Sequence, residues 1–230
     1  MSAAEIWVVD LALSSTQLEP CSTVLDALER DRAARFLRPV DRARYQASHA
    51  ALRLILGDAL RIAPGDIRLK VSAAGKPELV ESALSFNLSH SGERALVGLT
   101  RNSAIGVDVE VVRPIPDVLR IARAHFASDE FAALAAQPPD AINAAFFGLW
   151  TRKEAVVKAL GTGLSLPLDR FSVSVPPTPA RLLRMTESGA MTLADIDAGP
   201  DYAATVAVKS GKDEIVVRRL AHDWPSRLHR

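Results

Sequence analysis

The chain has a single cysteine, Cys21. One thiol can form neither an intramolecular disulfide nor a Cys-based zinc cluster, and it fits a reducing, cytoplasmic compartment. No histidine stands beside it in sequence, so it reads as a small packing residue rather than a nucleophile. Net charge is nearly absent too: 28 Lys and Arg stand against 27 Asp and Glu. A balance this close leaves no electrostatic footprint for bulk nucleic-acid or membrane binding. Lysine is scarce, at positions 70, 76, 153, 158, 209 and 212 only, so arginine supplies most of the positive charge. No run approaches the ~18 consecutive apolar residues of a membrane-spanning helix. The opening MSAAEIWVVD lacks the basic start of a signal peptide. Short-period repeats and low-complexity tracts are missing as well. What is present is ordinary globular material, 48% hydrophobic and 24% charged over 230 residues. That suffices for one large domain or two small ones, burying roughly three quarters of the unfolded surface without cross-links.

Patterning predicts a strand at residues 6–11 and a helix at 22–36, with Pro39 stopping it and Asp41 capping the next. In that next helix Leu52, Ile55, Leu56, Ala59 and Leu60 recur at helical spacing. A strand at 67–71, a turn at Gly75-Lys76-Pro77, and strands at 84–88, 95–100 and 105–111 follow. Their short turns predict an antiparallel meander. Pro114 and Pro116 mark a junction. Helices at 117–124, 128–136 and 141–160 come next, the last closed by Gly161. Strands at 171–175, 202–208 and 214–218 complete the pattern, with a loose tail around Pro225 and Arg230. Each half reads as helices followed by strands, which is α+β in two similar subdomains, 1–112 and 113–230.

Three constellations carry chemistry. In Gly106-Val107-Asp108-Val109-Glu110 the two carboxylates share one strand face while the valines face the core. They form either a solvated acidic face or ligands for a hard divalent cation. In Trp150-Thr151-Arg152-Lys153-Glu154-Ala155-Val156-Val157-Lys158, Glu154 and Lys158 share a helix face. They are either an ordinary surface ion pair or, where this helix crosses the carboxylate strand, a third ligand and a phosphate counter-charge. Asn87-Leu88-Ser89-His90-Ser91-Gly92 is either a polar turn or a phosphate contact. Ser89 and His90 are adjacent on a strand and point to opposite faces, so they do not make a nucleophile–base dyad. Lys76 lies over a ligand ring or in solvent. Gly161-Thr162-Gly163 follows a helix rather than opening one, so it reads as a cap and a turn, not a phosphate loop.

The order and spacing of these pieces resemble the 4′-phosphopantetheinyl transferase superfamily, in its Sfp (surfactin-type) branch. The Gly163-Leu164-Ser165-Leu166-Pro167-Leu168 run and Phe126-Ala127-Ser128-Asp129-Glu130 match that branch as well. The resemblance implies a pseudo-dimer of two α+β halves with the active site in the cleft between them. It implies transfer of the phosphopantetheine arm from coenzyme A to a serine of an acyl or peptidyl carrier protein, releasing adenosine 3′,5′-bisphosphate. By position, Asp108, Glu110 and Glu154 resemble the Mg²⁺ ligands (Mn²⁺ serving as an alternative), and Lys158 the pyrophosphate lysine. Ser89, His90 and Arg44 resemble phosphate contacts, and Gly75, Lys76 and Pro77 the adenine edge. Arg30, Arg32 and Arg35 fall where the family has basic residues near the 3′-phosphate. Glu154 or water activated by the metal takes the serine proton, Glu154 being the first choice and Glu130 a weaker one. The segment 112–123, from Val112 to Arg123, resembles the carrier docking region, with Arg113, Arg120 and Arg123 facing an acidic helix. A monomer is expected. The alternatives are a member that binds without transfer and a different Mg²⁺-dependent phosphodiesterase.

Overall fold

The structure, a computed structural model, describes residues 3–72, 75–185, 189–210 and 214–228. In chain order these form β1 (Ala3–Asp10), α1 (Ser15–Thr23), α2 (Ala27–Ala34), α3 (Pro39–Leu60), β2 (Leu69–Val71), β3 (Pro77–Leu79), β4 (Leu84–Ser91), β5 (Arg94–Arg101) and β6 (Ile105–Val111). There follow α4 (Val118–His125), α5 (Ser128–Ala135), α6 (Ile142–Leu160), β7 (Ser172–Val173), β8 (Leu182–Arg184), β9 (Thr192–Asp195), β10 (Tyr202–Val208) and β11 (Glu214–Arg219). The α+β reading holds.

The first sheet has the order β11-β1-β5-β4 and the second β6-β10-β9. Period-2 alternation gives the central strands β1 and β5 two apolar faces. Val9, Val97, Leu99 and Phe86 turn toward Leu52, Ile55 and Leu56 of α3. Ile6, Val8 and Leu96 turn the other way, onto Ile105, Val107 and Val109 of β6 and Val206 and Val208 of β10. The far face of the second sheet is covered by α6, whose Ala155, Val156 and Ala159 pack with Phe146, Phe171 and Val173. The layers therefore run α3, first sheet, second sheet, α6. Each buried Leu, Ile, Val or Phe contributes about 1.5–3 kcal/mol, so these three clusters outweigh the exposed ion pairs, worth about 0–1 kcal/mol apiece.

Several expectations are corrected. The single helix at 22–36 is two helices. Asp26 breaks it by capping α2: its Oδ1 accepts the Glu29 N–H at 2.9 Å, and the Glu29 carboxylate accepts the Asp26 N–H at 2.9 Å. The same two carboxylates clasp fully buried Arg53 of α3 at 2.7 Å each. Asp41 does not cap α3; Arg38 holds that position, Pro39 opens the helix and Asp41 lies in its first turn, where its charge suits the positive end of the dipole. The meander stops after β4–β5, because β6 leaves to pair with β10. The strand at 171–175 shortens to two residues beside a bulge. Strands β3, β8 and β9 had no clear pattern. The tail is not loose as far as it is described: Trp224 is fully buried and Leu228 nearly so, while Arg230 lies outside the described residues. The last strand also crosses back. β11 pairs in parallel with β1, so residues late in the chain complete the first sheet.

Candidate active site

Two glycines set the position of β6. A Cβ on Gly98 of β5 would stand 2.8 Å from a Val107 methyl, and one on Gly106 would stand 2.1 Å from the Ala155 carbonyl oxygen. The strand is thus pressed between the first sheet and the backbone of α6. Its inner valines fill the space between the sheets, and its alternate residues, Asp108 and Glu110, emerge on the side where α6 presents Glu154 and Lys158.

Asp108 is 3% exposed. Its Oδ1 accepts the Lys158 ammonium at 2.6 Å and the Ser89 hydroxyl at 2.8 Å. Its Oδ2 is buried with no hydrogen-bond partner. Glu110 accepts the Ser91 hydroxyl at 2.8 Å. Burial pushes the Asp108 carboxyl up from its ordinary range, against the pull of Lys158 and Ser89. Burial, joined by the Asp108 charge, does the same to Glu110 and Glu154. Burial is the first cause in all three, and Lys158 opposes it in each.

Among the described residues no three carboxylate, imidazole or thiolate side chains are gathered as a ready-made metal centre. Lys158 supplies the positive charge at Asp108, and three carboxylates without a cation repel one another. The donor set nevertheless suits Mg²⁺, which typically takes one or two carboxylates and fills its other positions with water and phosphate. The unpartnered Asp108 Oδ2 is compatible with that donor set.

Lys158 and Glu154 line a cleft of about 540 Å³, with Trp150 and Val157 on the same helix. Gly75, Lys76, Pro77 and Asn87 form the wall contributed by the first half of the chain. Lys76 is a tie across the cleft. Its ammonium donates to the Ile105 carbonyl at 3.1 Å and to the Lys158 carbonyl at 2.9 Å, in the last turn of α6. Burial holds its pKa below the ordinary lysine value, and Lys158 pushes the same way against Glu78.

Around His90 the structure collects positive charge. The protein packed around the imidazole lowers its pKa first, and His49, Lys158, Arg44 and Arg32 add to the effect, although one side of the ring reaches solvent. Arg44 is partly buried and lies 3.9 Å from Asp41. Of the three clustered arginines, Arg30 turns back onto the Leu25 carbonyl. Arg32 sits 5.8 Å over the Tyr45 ring, which stacks on His49 at 4.0 Å. Arg32 and Arg35 also line a separate surface hollow with Leu28, Phe36 and Val71.

The rest of the 150–158 motif has structural work. Arg152 bonds Asp195 at 2.9 and 2.5 Å and the Ser174 carbonyl at 2.7 Å. Lys153 is fully buried against both oxygens of Glu130 at 2.6 Å, and bonds the Phe171 carbonyl at 2.8 Å. Glu130 also accepts the Ala127 and Val173 amides, so no oxygen of it is free to act as a base. His125 of α4 lines the cleft and no spacing in the sequence singled it out. Asn87 was read only as part of a segment that is either a polar turn or a phosphate contact.

A family model for the 4′-phosphopantetheinyl transferase superfamily matches residues 104–207, and one for the N-terminal part of 4′-phosphopantetheinyl transferases matches 13–100. The 4′-phosphopantetheinyl transferase HetI of Nostoc is 35% identical over 208 residues, covering 88% of this chain and 86% of that protein. The chain belongs to the 4′-phosphopantetheinyl transferase superfamily. Sfp of Bacillus subtilis is 32% identical over 166 residues, covering 72% of this transferase and 73% of Sfp. AcpT of Salmonella typhimurium is 39% identical over 165 residues, covering 64% and 84%. The two models meet between residues 100 and 104, where β5 ends and the chain passes to β6 and the second sheet. Among the described residues no helix is long and apolar enough to cross a membrane.

Proposed function

We propose that this transferase moves 4′-phosphopantetheine from coenzyme A to the serine hydroxyl of an acyl or peptidyl carrier protein, releasing adenosine 3′,5′-bisphosphate. The observation that carries the reading is Asp108. It is a buried carboxylate with one oxygen bonded to Lys158 and the other without a partner, beside a cleft walled by both halves of the chain.

Asp108, Glu110 and Glu154 would hold the ion, Mg²⁺ or Mn²⁺. When bound, it supplies charge neutralisation on the pyrophosphate, the main need of phosphoryl transfer. Lys158 shares that role. Its side chain is 29% exposed and lines the cleft, so it can bond Asp108 and face a phosphate at once. His90, Arg44 and Arg32 gather about one end of the site and suit the remaining phosphate of coenzyme A. Ser89 belongs to the same region. Gly75, Lys76 and Pro77 supply the wall for the adenine. Glu154, which lines the cleft, would take the proton as the carrier serine attacks the β-phosphorus. Arg113, Arg120 and Arg123 are exposed along 112–123 and complement an acidic carrier helix. The division of the chain into 1–112 and 113–230, a monomeric state and a cytoplasmic location belong to the same reading.

The test is intact-mass spectrometry of apo carrier proteins incubated with the transferase, coenzyme A and Mg²⁺. The expected result is a gain of one phosphopantetheine arm that EDTA abolishes. Release of the bisphosphate without any carrier would mark a hydrolase instead. Coenzyme A binding with no gain on any carrier would mark a binding protein.

A further inference from the structure

Asn87, Ser89 and Ser91 share one face of β4, while Phe86 and Leu88 turn to the core beneath α3. Opposite them runs the edge of β6 that β10 leaves uncovered. Antiparallel pairing uses alternate amides of a strand, so the amides on this edge need other acceptors. They find side chains. The Val107 N–H donates to Asn87 Oδ1 at 2.8 Å, the Val109 N–H to Ser89 Oγ at 3.4 Å and the Val111 N–H to Ser91 Oγ at 3.2 Å. The two hydroxyls pass their own protons on, Ser89 to Asp108 and Ser91 to Glu110, each at 2.8 Å. A serine has one proton to give, and an accepted amide on the other side fixes which way it points. Each rung therefore locks a backbone amide and the carboxylate next to it in the sequence.

We propose that this side-chain ladder is the device that positions the two β6 carboxylates, and that Ser91 is the positioning residue for Glu110. The proposal rests on the metal-dependent reading above. Asn87 sets the register of the strand. Ser89 is shared with Lys158 at 3.2 Å, so its loss would disturb the pyrophosphate lysine too. Ser91 touches neither Lys158 nor Asp108 among its hydrogen-bond partners, which makes it the clean rung to break. It also explains why β6 quits the meander: its open edge is satisfied by side chains rather than by a neighbouring strand.

The experiment compares wild type, Ser91→Ala and Ser91→Thr. Mn²⁺ binding is read from the free-ion electron paramagnetic resonance signal without coenzyme A, and transfer is then measured across Mg²⁺ concentrations. Loss of a group that orients a ligand typically weakens metal affinity about 10–100-fold. Ser91→Ala should weaken Mn²⁺ binding by about that factor and raise the Mg²⁺ needed for half-maximal transfer in step. The KM for coenzyme A at saturating Mg²⁺ should stay put. Ser91→Thr keeps the hydroxyl and should restore binding, a rescue that a purely packing role would not predict; thermal midpoints confirm that all three chains are folded. Wild-type Mn²⁺ affinity in Ser91→Ala, or no rescue by threonine, overturns the ladder's role. A wild-type chain that binds no Mn²⁺ and transfers in EDTA overturns the metal reading, and the ladder's role falls with it.

Discussion

Helix α6 carries two lysines five positions apart, and each meets a buried carboxylate at 2.6 Å. Lys153 and Glu130 are closed on every side. Both oxygens of Glu130 are used, the lysine also bonds a carbonyl, and neither side chain exceeds 1% exposure. The Lys158–Asp108 pair is left open at its carboxylate, although the ammonium also donates to the Ser89 hydroxyl and the Val107 carbonyl. One oxygen of Asp108 has no partner, and the lysine leans into the cleft. The same chemical pair is a rivet in one place and a working contact in the other. Distance does not separate them; the completeness of the surrounding hydrogen bonds does.

Breaking the open pair should hit turnover hardest. Asp108→Asn removes a charge but little volume, so transfer should fall about 10³-fold or more, the several kcal/mol that a positioned metal ion contributes. The fold should persist by circular dichroism; activity within tenfold of wild type would remove Asp108 from the metal site. Breaking the closed pair should act on stability instead. Lys153→Ala leaves Glu130 buried and unpaired, at a cost of about 3–5 kcal/mol in urea denaturation. Transfer per folded molecule should barely change, and a large loss of kcat in folded protein would give Lys153 a role in the reaction. Lys158→Ala comes next. The KM for coenzyme A should rise about tenfold or more, as a charge-assisted contact to phosphate disappears, with some loss of stability because Asp108 stays buried without its counter-charge. Unchanged kinetics would make Lys158 a partner of Asp108 alone.

The smallest effect concerns a third charged group, Glu29, in the first half. Burial pushes its pKa up, but the His49 ring at 3.0 Å, the Asp26 amide and Arg53 outweigh burial and hold it below the ordinary glutamate value. A depressed carboxyl stabilises the folded state above the unfolded pKa, about 4.3, and loses that contribution as pH falls through the folded value. Glu29→Gln should therefore be less stable than wild type at pH 7, with the gap narrowing below about pH 4. A gap that widens on acidification would show the sign to be wrong.

Much of this was legible in the residues. Helix α3 announced itself by its apolar period and α6 by Gly161 at its close, and the shared face of Asp108 and Glu110 follows from strand geometry alone. The spacing of Glu154 and Lys158 on one helix face did too. What stayed hidden was the work of Arg152 and Lys153. A buried charge and a solvated one look alike in sequence, and only the partners Asp195 and Glu130, 43 and 23 residues away, tell them apart. The departure of β6 from the meander was hidden for a similar reason, since its edge is satisfied by side chains that read as a polar turn. Arg30, Arg32 and Arg35 could not be ranked until Arg30 was seen to fold back on Leu25.

The parallel pairing of β11 with β1 has a consequence for how the molecule is made. Translation delivers β1 well before its outer neighbour, which comes only after the second sheet has been synthesised. A ribosome that has reached residue 208 holds a first sheet whose β1 edge is bare and whose core lacks Trp224, a fully buried member of it. The first half therefore cannot finish folding while the nascent chain emerges; it waits for the tail. A late frameshift would damage the oldest part of the chain as surely as the newest.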